Sequence, residues 1–116
     1  MSNMKNSVLL MGNLGGDPVI SEFSNGGKLA RLSLATHEYY RDKSGELIEK
    51  TEWHRCIAWG KLAEKINDRL RKGSRVAVRG KLTYRSYEDK EGKQRTLSQI
   101  EIKEYTVLEK ENRPAA

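Results

Sequence analysis

An all-β domain with one helix, closed as a five-stranded barrel, is what the sequence predicts, and three observations predict it. Apolar residues alternate with polar ones in a series of short stretches, glycine-bearing turns separate those stretches, and one segment alone switches to helical spacing. With 116 residues the chain suffices for one core that removes roughly two-thirds of the unfolded surface from water, and not for two ordinary domains. No internal repeat, low-complexity tract or linker divides it. The barrel is assigned to residues 1–108, and 109–116 to a short flexible end.

Ser7–Gly12 is a short apolar run closed by the turn signals of Asn13-Leu-Gly-Gly-Asp-Pro18, and Val19–Phe23 resumes an extended segment. Asn25-Gly26 suits a tight turn, after which Lys28–Thr36 alternates with Ala30, Leu32 and Leu34 on one face, completing a hairpin. The polar, glycine-bearing Arg41–Glu46 separates this strand from Thr51–Trp59, a second and looser hairpin. From Lys61 to Arg71 the period changes: Leu62, Ala63, Ile66 and Leu70 share one side of a helix, and Gly73 stands where helices stop. Arg75–Tyr87 returns to a period of two, Asp89–Gly92 turns, and Thr96–Leu108 is the last strand. A helix inserted between the third and fourth of five strands is the pattern of a Greek-key barrel of the oligonucleotide/oligosaccharide-binding type, the OB-fold. An open sheet with one helix is the other arrangement these elements allow.

Charge points towards a partner. Lys and Arg total 22 against 16 Asp and Glu, a net +6, and the surplus lies in the second half of the chain. The resulting field attracts polyanions, though basic proteins that touch no nucleic acid exist. No apolar run approaches the roughly 18 residues of a membrane span, and the first residues lack the order of a signal peptide. Cys56 is the single cysteine, which excludes an intrachain disulfide and suits a reducing compartment, so a cytoplasmic protein is expected.

The stretch Arg75–Tyr87 separates two chemistries by alternation. Val76, Val78, Gly80, Leu82 and Tyr84 point one way; Arg75, Ala77, Arg79, Lys81, Thr83, Arg85 and Tyr87 point the other. Arg75, Arg79, Lys81 and Arg85 would make a ladder for phosphates, the plain alternative being a solvated, edge-protecting face. Aromatic residues weigh the choice. On the third strand Trp53, Arg55, Ile57 and Trp59 share a side, leaving His54, Cys56 and Ala58 on the other. Two indoles and a guanidinium on one side make a stacking platform, with each stacked base contributing about 1–3 kcal/mol whatever its identity.

Catalytic apparatus is not visible. His54 and Cys56, two residues apart, lack the further ligands a zinc site needs, so His54 reads as a packed or interface side chain and Cys56 as inert. Carboxylates are scattered rather than clustered as a nuclease metal site requires. Gly12–Gly16 lacks the spacing of a phosphate-cradling loop. Neither a cofactor nor a metal is expected.

Val8-Leu-Leu-Met-Gly-Asn-Leu-Gly-Gly-Asp-Pro18, Asn25-Gly-Gly27, Leu34-Ala-Thr36, Thr51-Glu-Trp-His-Arg55, Trp59-Gly-Lys-Leu-Ala-Glu64 and Leu70-Arg-Lys-Gly-Ser74, in that order, resemble the bacterial single-stranded DNA-binding proteins over residues 4–108. The resemblance implies an OB-fold factor of DNA replication, repair and recombination, assembled as a homotetramer with single-stranded DNA wrapped outside. Its base-stacking positions match Tyr40, Trp53, Trp59 and Tyr87 here, with Tyr40 and Tyr87 standing where tryptophan is usual. Its phosphate-contacting positions match Lys43, Arg55, Lys61, Arg71, Lys72 and Arg85, while Ser7 replaces a common lysine, and its subunit-interface histidine matches His54. Members usually continue into a Gly/Pro/Gln-rich tail with an acidic tip that recruits replication proteins. Asn112-Arg-Pro-Ala-Ala116 stops short of one, so such recruitment is not expected.

The expected activity is therefore sequence-independent binding and protection of single-stranded DNA. A primosomal or RNA-binding accessory protein shares the fold and charge and is the alternative. A barrel that pairs its edge strand with a protein partner is a third reading.

Overall fold

The computed structural model describes residues 5–108; the end assigned to 109–116 lies outside the described residues. Six strands, β1 (Val8–Leu14), β2 (Val19–Glu22), β3 (Lys28–Arg41), β4 (Leu47–Trp59), β5 (Arg75–Glu88) and β6 (Gln94–Val107), accompany one helix, α1 (Gly60–Arg69), between β4 and β5. The sheet order is β1-β5-β6-β4-β3-β2, and β1 also pairs β3 through Asn13↔Ala35 and Leu14↔Leu34. That second pairing closes the barrel and excludes the open sheet. β1 and β2 both lie along β3, so they are halves of one barrel strand broken at Gly15–Pro18, where Pro18 has no N–H to give a ladder. Counted so, the barrel has the five expected strand positions, with the helix after the third.

Alternation fills the core. Ala30, Leu32 and Leu34 from β3, Cys56 and Ala58 from β4, Val76 and Val78 from β5, and Ile100 and Ile102 from β6 are buried together. Ala63, Ile66 and Leu70 close the base of the barrel from the helix, each large side chain contributing about 1.5–3 kcal/mol by leaving water. The helix stops at Leu70, whose N–H still bonds the Ile66 carbonyl, and Gly73 and Ser74 then exchange hydrogen bonds with Leu14. Burial pushes the Cys56 thiol up to about 12, so it stays a protonated core side chain.

β3–β4 and β5–β6 extend as two-stranded arms past the core, and their tips use the same chemistry. Asp42 Oδ1 accepts the N–H groups of Ser44 and Glu46, and Asp89 Oδ1 those of Glu91 and Lys93. Gly45 and Gly92, each at positive φ, complete the turns. In β5–β6 the register slips at Arg79/Gly80, with Lys103 the extra residue on β6. A Cβ on Gly80 would lie 2.0 Å from the Glu101 carbonyl oxygen, so the strands approach there closely enough to require glycine. Among the described residues no helix is long and apolar enough to cross a membrane.

Candidate nucleic-acid interface

β4 builds the centre of the site. The alternation that sends Cys56 and Ala58 inward sends Trp53, Arg55 and Trp59 outward, and the two indoles are 61% and 49% exposed. Neither is sealed in the core, so the flat rings face solvent on the barrel's outer wall. Ile57, between Arg55 and Trp59 on that side, is buried and roots the strand. Two supports hold the rings. Trp53 lies against Gly15, where a Cβ would come within 2.5 Å of the indole, and Trp59 packs beside Phe23 at 6.2 Å between centroids. The Arg55 guanidinium is exposed, with no side-chain or backbone partner among the described residues.

Two grooves flank this strand and share Trp53 and Arg55 in their walls. One, about 340 Å³, lies between β4 and the β1–β2 loop, with Asp17, Val19, Arg31 and Ser33 as further walls. The other, about 410 Å³, opens where β4 and β6 stand apart before their parallel contact at Cys56↔Ile100 and Ile57↔Glu101, and Leu82 and Thr96–Ile100 line its far side. Both volumes fall in the range of small-ligand clefts. The carboxylate of Asp17 is occupied by the Lys72 backbone N–H, which ties the loop to the helix exit.

From β4 the outward face continues across β6 to the far half of β5, where Lys81, Thr83, Arg85 and Tyr87 stand opposite Glu101, Gln99, Leu97 and Arg95. Glu101 holds Lys103 at 3.0 Å, and neither Lys81 nor Arg85 has a partner among the described residues. The near half of β5 is different. Arg75, Ala77 and Arg79 stand opposite Asn13, Met11 and Leu9 of β1, and the Arg79 guanidinium is taken by Glu104. The sequence-predicted ladder of Arg75, Arg79, Lys81 and Arg85 is thus divided at the register slip, with Arg79 neutralised inside the chain.

Of the four expected stacking residues, Trp53 and Trp59 share one face and Tyr87 lies outward near the tip of the β5–β6 arm, 39% exposed. Tyr40 does not join them. Unbroken pairing from Leu29↔Trp59 to Arg41↔Leu47 puts Tyr40 opposite Ile48 on the other side of the ribbon, and Tyr39 on the side of Trp53. Lys43 sits in the tip of the same arm and Lys61 in the first turn of the helix, both exposed. Arg71 donates to the Asn67 and Leu70 carbonyls and so caps the helix, while the Lys72 side chain has no partner among the described residues. His54 is half-buried on the opposite face from Trp53, its Nε2 2.9 Å from the Thr36 hydroxyl.

Sequence reasoning passed over Phe23, Arg31 and Ser33 as site residues. Arg31 and Ser33 were legible as the outward partners of Ala30, Leu32 and Leu34. Phe23 was not, because its contact with Trp59 joins segments distant in sequence. Among the described residues no group of three or more His, Cys, Asp or Glu side chains could hold a metal ion.

The comparisons with known proteins agree with this geometry. The chain is similar to a Plasmodium falciparum single-strand binding protein solved in complex with single-stranded DNA, at TM-score 0.83 and 31% identity, over 94% of this chain and 99% of that one. It is also similar to a deletion mutant of the single-stranded DNA binding protein from Thermus aquaticus, at TM-score 0.78 and 32% identity, over 90% of this chain and 50% of that one. The model of the single-strand binding protein family matches residues 5–108. An OB-fold barrel, outward indoles on its third strand position and a family match over all the described residues together establish that this protein belongs to the single-strand binding protein family.

Proposed function

We propose that the chain binds single-stranded DNA without reading its sequence, holding it by stacking and by phosphate neutralisation, and catalyses no reaction. The observation that carries this reading is the pair of exposed indoles on one strand of the outer wall, with the exposed Arg55 guanidinium, unpaired among the described residues, between them. Every base has a π-face, so rings offered this way accept any base, and a duplex, whose bases are already paired and stacked, cannot reach them. Lys61, Lys81 and Arg85 meet phosphates on either side of Arg55, with Tyr87, Lys43, Lys72 and Arg75 serving longer strands. Binding by the Plasmodium relative supports the same ligand here.

Assembly as a homotetramer belongs to the same proposal. Leu9 and Met11 expose 65% and 58% of their surface on the β1 side, away from the indoles, and the Arg79–Glu104 pair sits beside them. An apolar patch with an internally neutralised charge suits burial against a second copy. His54 is assigned to a subunit interface. The biological setting is DNA replication, repair and recombination in the cytoplasm.

Titration of tryptophan fluorescence with oligo(dT) at two salt concentrations, together with solution mass, tests the reading. Quenching that weakens steeply with salt, in a particle of four chains, is expected. An unchanged spectrum on adding oligo(dT) would sink it.

A further inference from the structure

The helix carries a charge pattern that the platform does not use. Lys61, Lys65 and Arg69 follow one another at four-residue steps, all exposed, and none has a partner among the described residues. Glu64 and Asp68 form a second row, on the flank that faces Lys28, and Glu64 pairs with Lys28 at 3.3 Å. Each row repeats like charges at four-residue steps, while Lys61–Glu64 and Lys65–Asp68 are opposite charges three apart, so the cationic row runs beside the acidic one.

The cationic row serves the helix only at its far end, where Arg69 in the last turn suits the dipole. Like charges at four-residue spacing repel, and Lys61 lies in a first turn that holds no acidic side chain, at the end where the helix dipole disfavours a cation. The arrangement becomes favourable when a polyanion lies along the edge. Trp59 immediately precedes the helix at its N-cap, so the cationic edge begins where the aromatic platform ends. Its steps of about 6 Å along the axis suit successive phosphates of an extended strand, met by long flexible side chains.

We propose that Lys65 and Arg69 are phosphate-binding residues, extending the nucleic-acid track from Trp59 and Lys61 down the length of the helix. This inference rests on the single-stranded DNA reading given above.

Affinity of the full chain and of Lys65→Ala/Arg69→Ala for oligo(dT) is measured across a salt series, with strands of about 8 nucleotides, within the roughly 4–16 that one such barrel occupies, and with strands several-fold longer. On the long strand the slope of log K against log salt is expected to flatten by about 1.4, since each lost single-strand phosphate contact removes about 0.7. The short strand, held by the platform, keeps its slope, and the quench at saturation is unchanged. Lys65→Arg/Arg69→Lys restores the slope. The charge-matched Lys28→Ala/Lys103→Ala removes two cations already held by carboxylates and leaves the slope as it was. Far-ultraviolet circular dichroism confirms that each variant is folded. A wild-type chain that does not bind overturns this inference together with the function it rests on. Wild-type binding with no change of slope in Lys65→Ala/Arg69→Ala, or an equal loss in the Lys28/Lys103 variant, overturns this inference alone.

Discussion

The two halves of β5 start from the same sequence pattern and reach different chemical ends. Arg75, Ala77 and Arg79 alternate with the buried Val76, Val78 and Gly80, and Lys81, Thr83 and Arg85 continue the same series of positions where neither side of the strand is buried. In the near half the strand beside them is β1, which offers Leu9 and Met11, and β6 contributes Glu104 to occupy Arg79. In the far half β1 has ended, β6 offers Gln99 and Leu97, and Lys81 and Arg85 have no partner among the described residues on the wall that leads to Trp53 and Arg55. Periodicity fixes the face on which a side chain stands. The neighbouring strand decides whether its charge is available, and a register slip at Arg79/Gly80 separates the two outcomes within one strand.

Removing the platform should have the largest effect. Trp53→Ala together with Trp59→Ala is expected to cost about 2–6 kcal/mol of binding to oligo(dT), from about 1–3 kcal/mol per stacked base. Both rings are largely outside the core, so thermal stability should change little. Affinity retained in a folded double variant would remove the reference against which the halves of β5 are compared.

A smaller effect separates the halves directly. Arg85→Ala is expected to flatten the salt dependence of binding by about 0.7, the loss of one single-strand phosphate contact. Arg79→Ala should leave that slope unchanged, because its guanidinium is already neutralised by Glu104. Equal slopes for the two variants would mean that position on β5 does not matter and that only net charge does.

Much of this was legible before any coordinates. The barrel, the place of the helix and the outward side of Trp53, Arg55 and Trp59 all follow from period-two burial, because the hydrophobic effect fixes which side of each strand turns inward. Strand ends were less legible. β3 runs to Arg41 and β4 begins at Leu47, well beyond the Thr36 and Thr51 that hydrophobic alternation marks. The arms past the core have polar residues on both sides, so the pattern fades while backbone pairing continues to the Asp42 tip. Tyr40 shows the consequence. The resemblance makes it one of four stacking positions, whereas an unslipped register gives the side of Trp53 to Tyr39. The Arg79–Glu104 pair was hidden for a related reason: partners 25 residues apart meet only once the register is known.

The far half of β5 ends at the Asp89 tip, and acid offers the gentlest way to perturb it. The Arg95 side chain first, then the Lys93 N–H, hold the Asp89 carboxyl below the usual carboxylate range. Asp42, in the matching tip, is lowered first by the Ser44 side chain and then by the Glu46 N–H. A carboxyl with a depressed folded pKa contributes stability that is fully present above its unfolded value, about 3.9, and is lost as pH falls through the folded value. Amide resonances of Lys93 and Glu46 should therefore keep their folded positions at pH values where free carboxyls are already protonated, and shift only in stronger acid. Salt should tell the tips apart. Asp89 is held by an exposed charge pair, which salt screens, so its transition should move up in pH at high salt. Asp42 is held by a hydroxyl and backbone amides, so its transition should move much less. Coincident transitions at high and low salt would show that Arg95 does not support the tip, leaving Arg85 and Tyr87 on an arm whose end depends on the turn alone.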